Sequence, residues 1–581
     1  MLKTLAKSIR EYKKFSIVTP IFIALEVAIE CTIPFVIANL VNQVKAGCDM
    51  VMLLKNGGIL VLLALLSLTF GALAGYTAAI ASSGFSKNLR HDMFVSIQKY
   101  SFFNIDKFSS SSLVTRLTTD ITNVEMAYMM LIRIAVRSPL MLIFAFVMSF
   151  IMGGKMAWIF FLVLPILGTG LSLVIYKAMP LFKKVFKKYD KLNASIQENI
   201  KGIRVVKSYV QEDFEINKFH EAADDVCADF TKAEKILAFN NPIMQLCLNI
   251  VAIFVLSFGS YIIISTHGLA LDVGQLSAAL TYSFMMLSSL MMLSMVFVMM
   301  TMAVESAKRI CEVINEKSSL TNPENPIYDI KDGSILFKDV SFKYAETAQL
   351  MALSDINLEI KSGETVGIIG GTGSSKSTLV QLISRLYDAT EGQVLVGGRN
   401  VKEYDLDTLR NQVAMVLQKN ILFSGTIKDN LRWGDINATD EEMIAVCKMA
   451  CADEFIDLMP DGYDTYIEQG GANVSGGQKQ RLCIARALLK KPKILILDDS
   501  TSAVDTKTDA KIRKAFAEYI PDTTKIIIAQ RTASVENADK IIVMDGGFIK
   551  AVGTHSELLK SSDIYREIYT SQNKAGADYE E

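Results

Sequence analysis

The sequence predicts an α-helical membrane domain of six transmembrane helices with long cytoplasmic extensions, followed by a soluble α/β domain. Long apolar runs are confined to the part of the chain before about residue 303, whereas the rest mixes charge, glycine and short apolar strands. The 581 residues are 51% hydrophobic yet 21% charged, and the mean hydropathy is +0.30. This combination is typical of a membrane unit joined to a soluble unit.

Six apolar stretches are each long enough for a membrane helix, which needs about 20 residues. They cover residues 15–41, 57–83, 131–152, 157–179, 242–265 and 275–303. Residues 153–155 form a tight hairpin between the third and fourth stretches. Two long connections, residues 84–130 and 180–241, have a helical pattern and should extend well beyond the bilayer.

Positive charge sets the orientation of these spans. Lysine and arginine are concentrated before the first span and in both long connections, while the short loops on the opposite side carry few. Because segments rich in lysine and arginine are normally cytoplasmic, we expect a multi-pass protein of the cell membrane with both termini and the α/β domain in the cytoplasm.

Composition shifts define the predicted domain boundaries. The membrane domain is expected over residues 1–315, and a polar linker with Pro323 and Pro326 over 316–333. The α/β domain then covers 334–571, and residues 572–581 form a small, acidic tail that we expect to be flexible.

Charge and cysteine content argue against other function classes. The net charge of −1 provides no bulk attraction to nucleic acid. The eight cysteines form no CxxC pair and no His/Cys cluster at metal-ligand spacing. We therefore expect no nucleic-acid partner and no zinc or disulfide framework.

A glycine-rich loop between a strand and a helix predicts a phosphate site. Backbone N–H groups and the helix N-terminus would bind phosphates, Lys376 adds a positive charge, and Ser377 can ligate magnesium. The alternative is a simple glycine turn before a helix, which Lys-Ser-Thr at this spacing disfavours. The predicted nucleotide-binding residues of the loop are Gly370, Gly371, Thr372, Gly373, Ser374, Ser375, Lys376, Ser377 and Thr378.

An apolar run that ends in two carboxylates follows about 120 residues later, as ILILDD at residues 494–499. A buried strand that delivers an aspartate opposite a phosphate loop is the expected position of a magnesium-associated carboxylate. We assign that role to Asp498. Any buried strand before a turn could show the same pattern, and only the phosphate loop makes it specific.

Between these motifs lies VSGGQKQR, which resembles the signature motif of ABC-type ATPases; its residues Ser475, Gly476, Gly477 and Gln478 would contact a partner's ATP. The resemblance implies a P-loop ATP-binding cassette that uses ATP and Mg²⁺. It also implies that Tyr344 stacks on adenine, that Gln418 is the Q-loop glutamine near magnesium, and that SAVD at 502–505, with Asp505, is the D-loop.

The membrane half resembles that of six-helix ABC exporters. Residues 108–120 and 198–214 resemble the segments around the two coupling helices, and EQGG at 468–471 resembles the loop that contacts them. An ordinary amphipathic helix is the alternative for each segment. The resemblance implies a half-transporter that works as a pair of chains, in membrane lipid, on a small-molecule cargo; a compact chain of this kind is typical of bacteria.

Three residues of the chain's own ATP site depart from the family pattern. Asp499 stands where a catalytic glutamate is usual, Gln530 stands where the switch histidine is usual, and Ser375 replaces a glycine. The shorter Asp499 carboxylate should fall about 1–1.5 Å short of its target, and a misplacement of about 1 Å can lower the rate about 10²-fold. Glutamine can hydrogen-bond a phosphate but cannot accept a proton.

The signature that serves the partner's ATP is intact, so the chain resembles the degenerate-site subunit of heterodimeric bacterial multidrug exporters. A second half-transporter would then be the partner, with Asp499 and Gln530 as degenerate catalytic residues. Two alternatives remain: a homodimeric exporter with slow hydrolysis, and a nucleotide-gated regulator or channel.

The cargo is weakly indicated. Glu26 and Glu30 share one face of the first span and would either attract cationic cargo or hold an outer gate. Methionines in the last span suit either a site that repacks around varied apolar ligands or gap filling and lipid contact; they are Met285, Met286, Met291, Met292, Met295, Met299, Met300 and Met302. Together these features favour amphipathic or hydrophobic drugs or lipids.

Overall fold

The computed structural model describes residues 1–267, 269–345, 348–500 and 503–577, without the side chains of residues 155, 183, 186, 187, 190, 194, 302 and 573–577. The chain divides into two compact units. A helical unit comprises Met1–Gln98 and Ser109–Glu316, and an α/β unit comprises Lys99–Phe108 and Lys317–Glu581. The short segment Lys99–Phe108 therefore belongs with the α/β unit, whereas the sequence placed it in the membrane domain.

The helical unit consists of long helices joined by a few short ones. They are α1 Leu2–Lys7, α2 Lys13–Lys45, α3 Met50–Gln98, α5 Ser110–Thr115, α6 Ile121–Gly153, α7 Ile159–Lys201, α8 Ile203–Ser208, α9 Glu212–Leu237, α10 Asn240–Ser265 and α11 Val273–Asn315, whereas α4, Phe102–Phe108, belongs to the α/β unit. Within the described residues, six helices are long and apolar enough to cross a membrane, which confirms the predicted number of spans.

The long helices continue past the apolar stretches that the sequence delimits. Helix α3 has 49 residues, and at about 1.5 Å per residue it is roughly 70 Å long, about twice the hydrocarbon thickness of a bilayer. The tight connection between α6 and α7 starts at Gly154, whose φ of 52° favours glycine.

The described residues of the α/β unit form twelve strands. They are β1 Ile335–Phe342, β2 Leu353–Ile360, β3 Thr365–Gly370, β4 Glu391–Val396, β5 Arg399–Asn400, β6 Val413–Val416, β7 Gly425–Thr426, β8 Tyr466–Ile467, β9 Ile494–Asp498, β10 Thr524–Ile528, β11 Lys540–Asp545 and β12 Phe548–Gly553. Its later helices are α12 Lys376–Ile383, α13 Leu406–Gln412, α14 Ile427–Leu431, α15 Asp440–Met449, α16 Asp453–Ile456, α17 Gly476–Leu489, α18 Thr506–Tyr519, α19 His555–Ser561 and α20 Asp563–Ala577.

The largest sheet has the strand order β12-β11-β3-β10-β9-β6. Strands β11, β3, β10, β9 and β6 are parallel to their neighbours, and β12 is antiparallel to β11. Strands β9 and β10 are buried along their whole length, which explains their continuous apolar runs. Because β3 and β9 are separated only by β10, their carboxyl ends open at the same sheet edge, where ligands of such sheets bind.

Candidate nucleotide site and membrane polar cluster

The phosphate loop connects β3 to α12, as the sequence predicts. The Lys376 ammonium donates to the carbonyl oxygens of Gly370 and Gly371, each at 2.8 Å. Burial lowers the pKa of Lys376. These bonds keep the lysine side chain folded over the phosphate loop. When phosphate binds, its oxygens can replace the carbonyl oxygens as acceptors of the ammonium group.

Ser375 lies in the left-handed region of backbone space, with φ 67° and ψ 26°. This is the conformation that the usual glycine adopts without strain, and a residue with a Cβ adopts it at a cost of about 1–2 kcal/mol. The serine therefore keeps the loop geometry. The substitution adds strain without removing the backbone N–H group.

The predicted magnesium ligands meet at the sheet edge. The Ser377 hydroxyl donates to the Asp498 carboxylate at 2.8 Å, and Asp498 is buried at the end of β9. Burial raises the pKa of Asp498. A hydroxyl and a carboxylate side by side form the oxygen-rich donor set that Mg²⁺ prefers, so these residues fit the expected ion.

The two degenerate residues pair with each other. The Gln530 side-chain amide donates to the Asp499 carboxylate at 2.7 Å, and the Gln418 side chain lies near this carboxylate. Burial raises the pKa of Asp499. Its backbone is left-handed, with φ 49°. The aspartate is thus held by the Gln530 amide, which cannot accept a proton.

Tyr344 lies beside the phosphate loop. Its hydroxyl is 2.8 Å from the Thr378 hydroxyl, and 43% of the residue is exposed. The ring meets the Tyr387 ring nearly edge-on, with centroids 5.3 Å apart. The exposed ring surface provides a platform on which a planar base could stack.

The signature residues form the start of α17. The Ser475 hydroxyl accepts the backbone N–H of Gln478, and the Gln478 side chain accepts the backbone N–H of Ser475, a complete capping box. A side chain on Gly477 would approach the Ala503 carbonyl oxygen to 2.9 Å, so this position requires glycine.

The predicted D-loop is only partly described, because Ser502 lies outside the described residues. The Asp505 carboxylate accepts the backbone N–H of Thr508 at 3.0 Å and caps α18. The Ala503 N–H donates to Gln480 of α17 at 3.0 Å. This bond joins the D-loop to the signature helix.

Gln572 is a site residue that sequence reasoning missed. Its amide donates to the Gln530 carbonyl oxygen at 2.8 Å and accepts the Thr532 N–H at 2.9 Å. Helix α20 therefore braces the backbone on both sides of Arg531. No local pattern signals this role, because the residue is part of the segment predicted as a flexible tail, whereas α20 continues through residue 577.

In the helical unit, Glu26 and Glu30 of α2 face Arg137 of α6. The Arg137 guanidinium lies 2.5 Å from the Glu30 carboxylate and 3.6 Å from that of Glu26. Gly71 of α3 makes room for the cluster, since a side chain there would approach the Glu26 carboxylate to 3.2 Å. The carboxylates therefore pair across two helices.

A separate cavity of about 900 Å³ lies between α7 and α11. Its lining is apolar apart from hydroxyl groups of Ser172, Tyr176, Ser294 and Thr301. Of the last-span methionines, Met300 lines this cavity, whereas Met286 is fully buried in the helical core. The side chain of Met302 lies outside the described residues.

The two predicted coupling segments are short helices that interrupt the long ones. The first contains α5 and the π-helical turn Arg116–Asp120, and the second contains α8. Val210, just after α8, is left-handed with φ 53°, a conformation that is unusual for a β-branched residue. Their coupling role remains a prediction.

Comparison with known proteins identifies the family. Residues 16–291 match the ABC transporter transmembrane region, and residues 353–502 match the ABC transporter family. YfiB of Bacillus subtilis, an uncharacterised ABC transporter ATP-binding protein, is 36% identical over 97% of this chain and 98% of its own length. MT1311 of Mycobacterium tuberculosis, also uncharacterised, is 33% identical over 99% and 98%.

A bacterial Atm1-family ABC exporter solved with ATP bound has the same fold, with a TM-score of 0.83 over 97% of this chain and 98% of that one, at 24% identity. Matches of this length cover the membrane and ATP-binding parts in one alignment. The chain belongs to the ABC transporter family: it is a half-transporter with the exporter fold, in which a six-helix membrane domain is fused to the ATP-hydrolysing cassette.

Proposed function

We propose that this chain exports amphipathic or hydrophobic small molecules, such as drugs or lipids, across a bacterial cell membrane as one subunit of a heterodimer. Its cassette faces the cytoplasm and binds ATP–Mg²⁺ at a slow site. The chain contributes its signature, Ser475–Gln478, to a competent ATP site on a second half-transporter, where most hydrolysis occurs.

The pairing of Asp499 with Gln530 carries this proposal. In a rapid site the carboxylate must polarise the attacking water and the switch residue must contact the γ-phosphate. Here a 2.7 Å hydrogen bond joins the Asp499 carboxylate to the Gln530 amide, and the Gln418 side chain lies near the same carboxylate. A short side chain restrained in this way is poorly placed to reach a water molecule on the γ-phosphate.

The signature end of the cassette supports the second half of the proposal. Its capping box is complete, and Gly477 keeps the close approach to Ala503. Mutational drift without selection would not be expected to alter three positions of one site and leave this element unchanged. Selection for the partner's site explains the asymmetry.

The cavity between α7 and α11 supports an apolar cargo. Its volume of about 900 Å³ lies in the range of drug-sized sites, about 300–1,000 Å³. Its hydroxyl groups can orient a polar end, and the aliphatic and aromatic lining accepts the remainder of an amphipathic molecule. We therefore place the cargo contacts of this chain here.

Glu26 and Glu30 have two alternative roles: they attract cationic cargo, or they pair α2 with α6. Their contacts with Arg137 favour pairing. Glutamine at both positions distinguishes the two roles. A selective loss of cationic-dye export would support direct attraction of cargo, whereas equal loss for cationic and neutral cargo would support pairing.

The central experiment compares the chain purified alone with the chain co-purified with a second half-transporter that carries the usual glutamate and histidine. We expect weak ATPase activity alone and strong activity with the partner. A Gly477→Asp variant, which damages the signature and crowds the adjoining Ala503 carbonyl oxygen, should abolish activity of the pair. Brisk, cooperative ATPase activity of the chain alone would favour the homodimeric alternative and contradict the heterodimer.

A nucleotide-gated regulator or channel is the second alternative. ATP-dependent cargo uptake into inside-out vesicles that contain both chains distinguishes a pump from a gate, because only a pump accumulates cargo against its gradient. Equilibration without accumulation would contradict export.

A further inference from the structure

One aromatic residue, Tyr387, connects the Tyr344 ring with the segment Lys99–Phe108, which is distant from it in sequence. Tyr387 is buried, with 8% of its surface exposed. It follows α12 and lies between Tyr344 and the segment Lys99–Phe108, all within the α/β unit. Its two ends make different kinds of contact.

The ring of Tyr387 supports Tyr344. The two rings are nearly perpendicular, with centroids 5.3 Å apart, and Phe342 contacts both of them at 4.9 and 5.6 Å. Edge-to-face aromatic pairs are favourable beyond simple burial. Tyr344 is therefore held from behind, while its hydroxyl is held by Thr378 at 2.8 Å.

The hydroxyl of Tyr387 reaches the segment. It donates to the Asp106 carboxylate at 2.7 Å, and its ring contacts the Phe102 ring at 6.0 Å. Burial and the Asp106 carboxylate raise the pKa of Tyr387, so the hydroxyl keeps its proton and stays a donor. Such a bond to a charged acceptor is stronger than one between neutral groups.

The segment has a second attachment in the same unit. Buried Asn104 donates to the Lys317 carbonyl oxygen at 3.1 Å and accepts the Ser319 N–H at 3.1 Å. Helix α4 thus contacts the start of the linker through Asn104 and contacts Tyr387 through Asp106. The chain then continues from α4 directly into Ser109 and α5.

We propose that Tyr387 is a positioning residue that links the adenine-binding ring of Tyr344 to the segment Lys99–Phe108 through Asp106. Base stacking immobilises the Tyr344 ring, and through the ring contacts it also immobilises Tyr387. The hydrogen bond from Tyr387 to Asp106 is then stabilised, and with it the attachment of the segment. By linkage, the attached segment favours ATP binding to the same extent. The inference rests on the proposed adenine role of Tyr344.

The test uses the full-length protein in lipid nanodiscs and separates the ring from the hydroxyl. Tyr387→Leu removes the ring and should weaken ATP binding about three- to ten-fold. It should leave the affinity for inorganic tripolyphosphate unchanged, because that probe contacts only the phosphate loop. A loss of both affinities would indicate general damage and overturn a positioning role.

Tyr387→Phe keeps the ring and removes only the bond to Asp106. In the unmodified protein, ATP–Mg²⁺ should slow hydrogen exchange of residues 101–108 by at least about three-fold, and this protection should be lost in Tyr387→Phe. Tyr404→Phe is the matched control, since it removes a buried tyrosine hydroxyl that donates to the Val396 carbonyl oxygen in the same core. Unchanged protection in Tyr387→Phe would overturn the link.

Tyr344→Ala separates this inference from its premise. If Tyr344→Ala leaves ATP affinity unchanged, the adenine role of Tyr344 is wrong and the inference falls with it. If Tyr344→Ala weakens ATP binding and Tyr387→Leu does not, the adenine role stands and the positioning role of Tyr387 is wrong.

Discussion

Lengthening the Asp499 side chain by one methylene tests whether geometry makes this ATP site slow. Asp499→Glu should advance the carboxylate by about one C–C bond, roughly 1.5 Å. The aspartate is held by Gln530 at 2.7 Å, and Gln418 lies nearby. The added length allows the carboxylate to pass these amides and approach the water on the γ-phosphate.

The magnitude follows from the displacement. A misplacement of about 1 Å lowers a rate about 10²-fold, and a factor of ten corresponds to about 1.4 kcal/mol of barrier. We therefore expect Asp499→Glu to raise hydrolysis at this site about 10- to 100-fold, with little change in ATP affinity. Adding Gln530→His should raise it further, since histidine can also accept a proton.

The assay is single-turnover hydrolysis of labelled ATP by the full-length protein, with the partner's site disabled where a partner is present. Asp499→Asn is the matched control, since it keeps the length and loses the charge, and it should not accelerate hydrolysis. Rates within two-fold of the unmodified protein for both Asp499→Glu and the double variant, at unchanged ATP affinity, would refute the geometric explanation.

Three further predictions address Ser375 in the phosphate loop, the contacts of Arg137 with Glu26 and Glu30, and the contacts of Gln572 beside Gln530. Ser375→Val should weaken ATP binding at least about ten-fold relative to Ser375→Gly in titrations, because a β-branched residue is strained at φ 67°; equal affinities would contradict this. Arg137→Leu should destabilise the protein by up to about 2.5–3.5 kcal/mol by leaving carboxylates unpaired in the membrane. Adding Glu30→Gln to Arg137→Leu should restore part of the lost stability in thermal unfolding measured in nanodiscs. No restored stability would count against the pairing of Glu30 with Arg137. Gln572→Ala should speed hydrogen exchange of the backbone amides of residues 530–532 about ten-fold, whereas Ser571→Ala, whose hydroxyl bonds within its own helix, should not.

Much of the architecture could be read from local patterns. A membrane span needs a continuous apolar run of sufficient length, so the six spans were predictable one at a time. The phosphate loop was predictable for a similar reason, since glycine, lysine and serine at fixed spacing lie in one turn of backbone. The signature helix and its cap likewise lie within a few consecutive residues.

The assignment of Lys99–Phe108 to the α/β unit was not predictable from composition. The segment carries the same helical pattern as the rest of its connection. Only its contacts distinguish it: Asn104 bonds with Lys317 and Ser319, and Asp106 bonds with Tyr387. Hydrogen bonds between residues more than 200 positions apart leave no periodicity in the sequence.

The candidate site shows the same division. The departures of Asp499, Gln530 and Ser375 from the family pattern were predictable, because each change is visible in a short motif. The consequences of these changes depend on contacts between distant parts of the chain. The tertiary structure pairs Asp499 with Gln530 across 31 positions, places Ser375 in a left-handed turn, and joins Glu30 to Arg137 across 107 positions. Side-chain partners depend on how the strands and helices pack, and packing is set by the whole chain rather than by any one segment.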